Sequence, residues 1–358
     1  MGNKMILAIN PRLTSTKIAV YEGKKLIFQK RITHSDEELA PFSGVNDQYE
    51  FRKSVVLKTL TDAHIDIKEL DAVVGRGGLL KPLESGVYRI NDKMMRDFEK
   101  PMGEHISNLG AKLAKEIASD AGKNTAAFTT DPECVDEFDD VARISGVPEL
   151  PRMSLVHALN QKAVARRFAH EHGTAYEEVN IIVAHMGRGI TVGAHRKGRI
   201  VDTNNGLNGD GPITPVRSGA VPGGQLVELC FSGEFTKEEV LKKLNGNGGL
   251  MAYLGTADVS EVVSKSKNGD EKARLILDAL VYQIAKEIGA MGTVLKGEVD
   301  GILLTGGIAY NQEVNNMIIE RVQHIAPVFI FAGEDEMHTL AMNGLMVLEG
   351  EMEEKVYS

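Results

Sequence analysis

Short apolar runs alternate with polar turns at two places in the chain, and both places follow one order. The first spans residues 6–21, ILAINPRLTSTKIAVY; the second spans residues 181–195, IIVAHMGRGITVGAH. Each continues past a Gly-containing basic turn, residues 22–25 or 196–199, into a third extended segment, LIFQKRIT or RIVDTNN. A strand–turn–strand–turn–strand unit used twice predicts two related domains facing each other across a cleft lined by their polar turns. Such turns suit an anion, because N–H groups and hydroxyls converge there.

The remaining pattern alternates helix and strand in both halves. Residues 48–64 carry apolar positions at helical spacing, and residues 72–75 form a short apolar strand opening into Arg-Gly-Gly. Residues 104–121 predict a helix striped by Ile106, Leu109, Leu113 and Ile117, with Gly122 as its stop. A strand over 125–130 ends at Asp131-Pro132, and the Pro/Gly-rich segment 146–153 has the composition of an interdomain crossover. In the second half, helices are expected over 157–172, 236–244, 271–295, 311–323 and 336–348, and strands over 300–305 and 328–331. The polar stretch 204–224 is too irregular for core structure and reads as a mobile loop or a site wall. Strand-rich beginnings followed by helix–strand alternation give two α/β domains, residues 1–150 and 151–334, with the terminal segment 335–358 packing back on the first.

Composition narrows the function classes. At 358 residues the chain suits two domains, and 42% apolar with 25% charged residues is ordinary globular content. A net charge of −9 speaks against a nucleic-acid or anionic-membrane surface, though a few local Arg residues can still dominate a site for an anionic substrate. No apolar run reaches the ~18 residues of a membrane span, and no leader peptide is expected. Cys134 and Cys230 lack metal-ligand spacing, which fits a reduced cytoplasmic protein without disulfides.

Five polar clusters fall where strands end, the usual ligand position in α/β sheets. They are Asn10 with 14–17; Arg76-Gly77-Gly78; Asp131; residues 185–189 (His-Met-Gly-Arg-Gly); and residues 305–309 (Thr-Gly-Gly-Ile-Ala). None is a Walker loop or a dinucleotide fingerprint. Singly, each has a plainer reading: a common turn, a surface loop, a turn initiator before Pro132, glycines for close packing, buried satisfied histidines at 157 and 185, a core Met186. Together along one cleft they fit phosphoryl transfer, which asks for cationic donors, a carboxylate to position Mg²⁺ and fixed alignment. Arg76 and Arg217 supply bidentate forks, Asp131 and Glu336 (with Glu334 a weaker candidate) supply carboxylates, and His157 and His185 supply donors.

At these residues the chain resembles the acetate and butyrate kinases, members of the actin, sugar-kinase and Hsp70 fold group, and most of all the butyrate and branched-chain fatty acid kinase branch. The resemblance runs nearly end to end, through INP..TSTKIAVY, DQYEFRK, VVGRGG, GEHISNLGAKLA, DP..VDEFDDVARISG, HALNQKAVAR, AHMG.GI.VGAHRKGRIVD, RSGAVP, GLMAYLGT, LTGGIAYN and GEDEM. It implies two duplicated ribonuclease H-like domains around a nucleotide cleft that closes on its substrates, and reversible transfer of the ATP γ-phosphoryl group, with Mg²⁺, to a short-chain carboxylate. The products would be an acyl phosphate and ADP. By the same resemblance Asn10, Ser15 and Lys17 line the phosphate side, with Gly187 and Gly189 from the second turn. Asp131 and Glu336 support the metal, and Arg76 and Arg217 clamp the carboxylate and the moving phosphoryl group. His157 and His185 assist, His105 and Asn108 lie near, and Gly306, Gly307, Ile308 and Asn311 form the adenosine pocket. A homodimer or higher homo-oligomer is implied too. The glycines after Arg76 leave room for an acyl chain longer than acetate.

The chain departs from the family at three places. Arg12 and Leu13 stand where the first turn has Gly and Ser, and Arg188 stands where the second has Gly or, in acetate kinases, Asn. Gly there permits positive φ and close approach to phosphate. The substitutions therefore leave two readings, an active carboxylate kinase and an impaired member that senses nucleotide or acyl phosphate. Arg12 and Arg188 either add charge to the phosphates, hold the cleft partly shut, or point to solvent. A sugar kinase or Hsp70-like ATPase shares the architecture but not these motifs.

Overall fold

The computed structural model describes residues 3–358 apart from 104, 123, 208 and 209. Along the chain the first elements are β1 (Met5–Arg12), β2 (Ser15–Glu22), β3 (Lys25–Thr33), α1 (Asp36–Leu39), α2 (Tyr49–Asp62), β4 (Ala72–Arg76), β5 (Val87–Arg89), α3 (Asp92–Asp97), α4 (Asn108–Ala121) and β6 (Ala126–Thr130). Then follow α5 (Ala158–Glu171), β7 (Asn180–Met186), β8 (Ile190–Arg196), β9 (Arg199–Thr203), α6 (Gly223–Phe231), α7 (Lys237–Leu244), α8 (Gly249–Leu254), α9 (Val259–Lys267) and α10 (Glu271–Val294). The last are β10 (Gly301–Gly306), α11 (Gln312–Val322), β11 (Val328–Ala332), α12 (Glu336–Leu348) and β12 (Glu354–Val356).

Two compact units result, one of Met1–Val135 with Asp335–Ser358, the other of Asp136–Glu334. The first holds a seven-stranded sheet in the order β12-β5-β6-β4-β1-β2-β3; the second holds five strands, β11-β10-β7-β8-β9. The duplicated unit is visible in both: β1, β2 and β3 pair antiparallel, as do β7, β8 and β9. Next to β1 lies parallel β4, and next to β7 lies parallel β10. Residues 136–150 belong to the second unit, so the division comes before the Pro/Gly-rich segment 146–153. Polar contacts explain it: Asp139 N donates to Val201 O (3.0 Å), Arg196 pairs with Asp139 (2.6 Å), and Lys162 pairs with Glu137 (2.7 Å).

Each sheet is buried on both faces where its strands read as unbroken apolar runs. In β7, Ile181 and Val183 face Val164 and Phe168 of α5, while Ile182 and Ala184 face Ile284 and Ile288 of α10. In the first unit Leu7, Ile9 and Val73 pack under Leu109, Leu113 and Ile117 of α4, the stripe seen in the sequence. The opposite face meets α12, whose Gly344 leaves no room for a Cβ, which would sit 2.5 Å from Val74 Cγ2. Helix α4 starts at Asn108, because Asn108 N bonds back to His105 O (3.0 Å) as a turn. The expected start at Glu104 lies outside the described residues. Strands β5 and β12 and helices α3, α8 and α9 do not stand out in the sequence; the two strands, three residues each, are too short to show a period. Helix α6 begins inside the stretch read as irregular. Among the described residues no helix is long and apolar enough to cross a membrane.

One titrating cluster lies in the second unit. Glu287 of α10 shares its surroundings with Asp202 of β9, Asp210 and Arg152, whose guanidinium lies 2.9 Å from Asp202 and 3.5 Å from Asp210. Burial, then Asp210 and Asp202, push the Glu287 carboxyl up to about 7. A raised acid keeps its proton longer when folded, so its contribution to stability is full below about 4.5 and is lost as pH rises through about 7. Glu287→Gln is therefore expected to gain about 3 kcal/mol on the native protein between pH 4.5 and pH 8. Urea midpoints of both proteins across that range check it; a difference that does not change with pH would refute it.

Candidate active site

In the first unit the site forms around the ends of β1, β4 and β6. Two glycines let α4 ride directly on β4: a Cβ on Gly75 would lie 2.0 Å from Gly110 O, and one on Gly110 would lie 2.1 Å from Arg76 O. That close approach fixes the backbone from which Arg76 projects. Its guanidinium is held by two carboxylates, Nε by Glu133 Oε1 (2.9 Å) and Nη1 by Glu336 Oε1 (2.5 Å). Glu336 opens α12 and is only 4% exposed. Its other oxygen accepts from Arg12 Nη2 (2.8 Å) and from the amide of buried Asn10. The residue expected to support a metal thus has both oxygens engaged by cationic or amide donors.

The other expected residues of this unit are structural as well as polar. Ser15 and Thr16 are buried; Arg52 Nη1 donates to Ser15 O and Thr16 Oγ1, both at 3.0 Å. Lys17 lies opposite Asn10 in the β1–β2 register. Asp131 sits at φ +39°, an uncommon left-handed backbone, with Oδ1 accepting from Ser85 Oγ (2.6 Å) and Gly86 N (2.9 Å). Asn108 ties two loops together, its Oδ1 accepting from Leu79 N (2.8 Å) and its Nδ2 donating to Gly103 O (2.9 Å). His105 is hydrogen-bonded to Ser107 Oγ (2.6 Å). Among the described residues no cluster of three His, Cys, Asp or Glu can hold a metal. This donor set does not fit a metal bound directly by Glu336.

In the second unit His157, at the start of α5, and His185, at the end of β7, stack with ring centroids 3.9 Å apart and planes 13° from parallel. His185 Nδ1 donates to Asn160 Oδ1 (2.7 Å), and Nε2 faces Glu334 Oε1 at 3.2 Å. His157 Nδ1 is hydrogen-bonded to Thr191 Oγ1 (2.8 Å), which also accepts from Gln161 Nε2 (2.9 Å). Asn160 and Gln161 were not singled out from sequence; their spacing of three and four residues from His157 on a predicted helix is the signal that places them on its face.

Arg217 lies against the second-domain turn. A Cβ on Gly189 would sit 1.9 Å from Arg217 Nη1, so a larger residue there would displace the Arg217 guanidinium. The guanidinium donates to two neutral oxygens, Gly206 O and Asn245 Oδ1 (3.2 Å). Burial, and then the neighbouring Arg188 guanidinium, pull Arg217 down to about 10. Thr214, which nothing in the sequence marks, clips the two arginines together: Oγ1 donates to Arg188 O (2.8 Å) and accepts from Arg217 N (2.9 Å). A cavity of ≈ 420 Å³ opens beside the turn, lined by Gly187, Arg188, Gly307, Ile308 and Asn311 together with Pro215, Tyr310 and Asp258. Gly306 is not on its wall but turns β10 at φ +87°, where a Cβ would meet Met186 O at 2.4 Å. Asn311 Oδ1 caps α11, accepting from Glu313 N (3.1 Å) and Val314 N (3.2 Å).

The three departures do not distort the backbone. Neither Arg12, Leu13 nor Arg188 has positive φ. Arg12 stays in β1, paired with Ser15, and Leu13 is exposed.

The model of the acetokinase family matches residues 152–344. The chain is 53% identical to butyrate kinase 1 and 51% identical to butyrate kinase 2 of Clostridium acetobutylicum, in each case over 98% of this chain and 99% of the relative. Among solved structures it resembles acetate kinase of Porphyromonas gingivalis, with a TM-score of 0.79 at 17% identity, over 96% of this chain and 100% of that one. A propionate kinase of Francisella tularensis gives 0.75 at 16% identity, over 95% and 98%. At that identity the two structures speak for the fold, which is that of the acetate kinases.

The ion-pair geometry at Glu336 yields an ordering of stabilities. Arg76 is 15% exposed and Arg12 43% exposed. Glu336→Gln is expected to cost about 2–3 kcal/mol, less than a fully buried pair because Arg76 keeps Glu133. Arg12→Gly should cost under about 1 kcal/mol, as an exposed pair does. Denaturant midpoints for both variants test the ordering, and an Arg12→Gly loss as large as that of Glu336→Gln would contradict it.

Proposed function

The chain belongs to the acetokinase family, and on that footing we propose that it transfers the γ-phosphoryl group of ATP to a short-chain fatty acid. The acid is butyrate or a branched acid such as isobutyrate, the products are its acyl phosphate and ADP, and the reaction runs in both directions. The observation that carries this reading is the end-to-end identity with butyrate kinases 1 and 2.

The chemistry asks for little beyond placement and charge. A carboxylate is already ionised at neutral pH, so its oxygen attacks the γ-phosphorus without a general base. The new O–P bond forms as the bond to ADP breaks, and ADP leaves with the electron pair. Arg76 and Arg217 neutralise charge on the acid and on the phosphoryl oxygens, and His157 and His185 donate to the group in transfer. For Arg76 this means exchanging one of its two carboxylate partners for substrate. Asn10, Ser15 and Lys17 belong to the phosphate side, with Gly187 and Gly189. Gly306, Gly307, Ile308 and Asn311 belong to the adenosine side. Asp131 would support the Mg²⁺ bound with the nucleotide, which would neutralise charge on the phosphates.

The alternative of an impaired sensor, which rests on the substitutions at Arg12, Leu13 and Arg188, has no support from the comparisons, and neither Arg12 nor Arg188 has a strained backbone. The expected setting is the cytoplasm, in keeping with two free cysteines, one of them exposed. A homodimer or larger homo-oligomer remains the expected assembly.

The test is acyl-phosphate formation, trapped as the hydroxamate, with Mg-ATP and acetate, propionate, butyrate, isobutyrate and isovalerate. A rate on butyrate or a branched acid well above that on acetate is expected, falling by about 10²-fold or more in Arg217→Ala and Arg76→Ala. Folded protein with no rate on any acid would refute the activity, and equal rates on acetate and butyrate would refute the chain-length preference.

A further inference from the structure

We infer that Arg188 binds the phosphate groups of the nucleotide, as the outer member of a guanidinium pair whose inner member is Arg217. The inference rests on the kinase reading and assigns a role to a position where the resembling families carry Gly or Asn.

Three observations converge on it. Arg188 is exposed at the β7–β8 turn and lines the ≈ 420 Å³ cavity with Gly187 and Gly307. Thr214 bonds to Arg188 O and Arg217 N, which ties the two backbones together, and Gly189 lies against the Arg217 guanidinium, so the Arg188 charge is close enough to act on Arg217. Neither has a carboxylate partner: among the described residues Arg188 makes no ion pair, and Arg217 donates only to neutral oxygens.

Two like charges clipped together and left uncompensated favour an anion between or beside them. The cavity wall carries one carboxylate, Asp258, and it makes no ion pair with either arginine among the described residues. Asp258 Oδ1 is spent on capping α9, accepting from Ser260 N (2.8 Å) and Glu261 N (3.3 Å), and Glu334, near Gly187, faces His185. The rest of the wall, with Pro215, Val259, Ile308 and Tyr310, suits an aromatic ring rather than a second charge. A cationic end and an apolar wall in one cavity describe a nucleoside polyphosphate. The short-chain acid, small and singly charged, needs neither.

Isothermal titration of the full chain separates the two ends of that ligand. Arg188→Gln is expected to weaken ADP binding about tenfold while leaving adenosine binding, followed by competition, within twofold. The slope of ADP affinity against salt should become shallower, because one counter-charge is gone. In turnover KM for ATP should rise with little change in KM for butyrate. Arg188→Lys should recover part of the loss through its charge. Unchanged ADP affinity in Arg188→Gln overturns the inference, and so does an equal loss for ADP and adenosine, which marks a merely structural residue. A native protein that makes acyl phosphate while Arg188→Gln behaves like it overturns this inference alone. A native protein that neither binds ADP nor makes acyl phosphate overturns the kinase reading as well.

Discussion

A single buried carboxylate organises the first unit. Glu336 lies at the first turn of α12, where the helix dipole favours a negative charge, and it gathers Asn10, Arg12 and Arg76 from the ends of β1 and β4. Those donors are separated from it by 260 to 326 positions in the chain. Without α12 the inner faces of β1 and β4 would lose their cover, and β5 would lose its neighbour β12. The first unit is therefore built from both ends of the polypeptide, with the whole second unit between them. Such pairing is slow to form, because the loop to be closed is an entire domain. On a ribosome the second unit is complete before the first can close, so the second is the earlier foldable body.

One scaffold used twice has been given opposite electrostatics. At the end of β1 the guanidinium of Arg12 finds Glu336 and is neutralised inside its own unit. In the β7–β8 turn Arg188 makes no ion pair among the described residues and stands beside a second cation, Arg217. Topology is shared, but the β1–β2 turn has two residues and the β7–β8 turn three, so Arg12 stays in its strand while Arg188 lies in the turn; the acids that later segments deliver add to that difference. The terminal helix delivers one to the first unit; the β11–α12 link spends its acid, Glu334, on His185. A duplicated fold thereby yields one turn that is closed on itself and one that is open to an anion.

Much of this was legible in the sequence, and the boundary of legibility is physical. Runs such as residues 181–186 and the stripe Leu109, Leu113, Ile117 show their period because each faces a continuous core. Strands β5 and β12 are too brief to show one. The residues of the site were visible as polar strand ends, but their partners were not. Glu133 and Glu336 reach Arg76 from 57 and 260 positions away, and Thr214 reaches Arg188 through a loop with no regular period. The reading of Arg12 as a strained replacement for Gly assumed that position 12 lies in the turn. Register places Arg12 in β1 opposite Ser15, leaving Leu13 and Thr14 to turn the chain, and the strain disappears.

The same logic separates orienting groups from reacting ones. An ionised acid attacking phosphorus has no proton to give up, so a histidine acting as base would be idle. His185 is arranged accordingly: Asn160 takes Nδ1, Glu334 faces Nε2, and the ring is stacked on His157. A ring held at Nδ1 by Asn160 and stacked on His157 is stiff, and its Nε2 would donate to a substrate oxygen only in place of Glu334. What the chain contributes to such a reaction is stiffness and positive charge. The stiffness is found where glycines 75 and 110 bring backbone too close to backbone for any larger residue, and the charge where Gly189 lies against the Arg217 guanidinium.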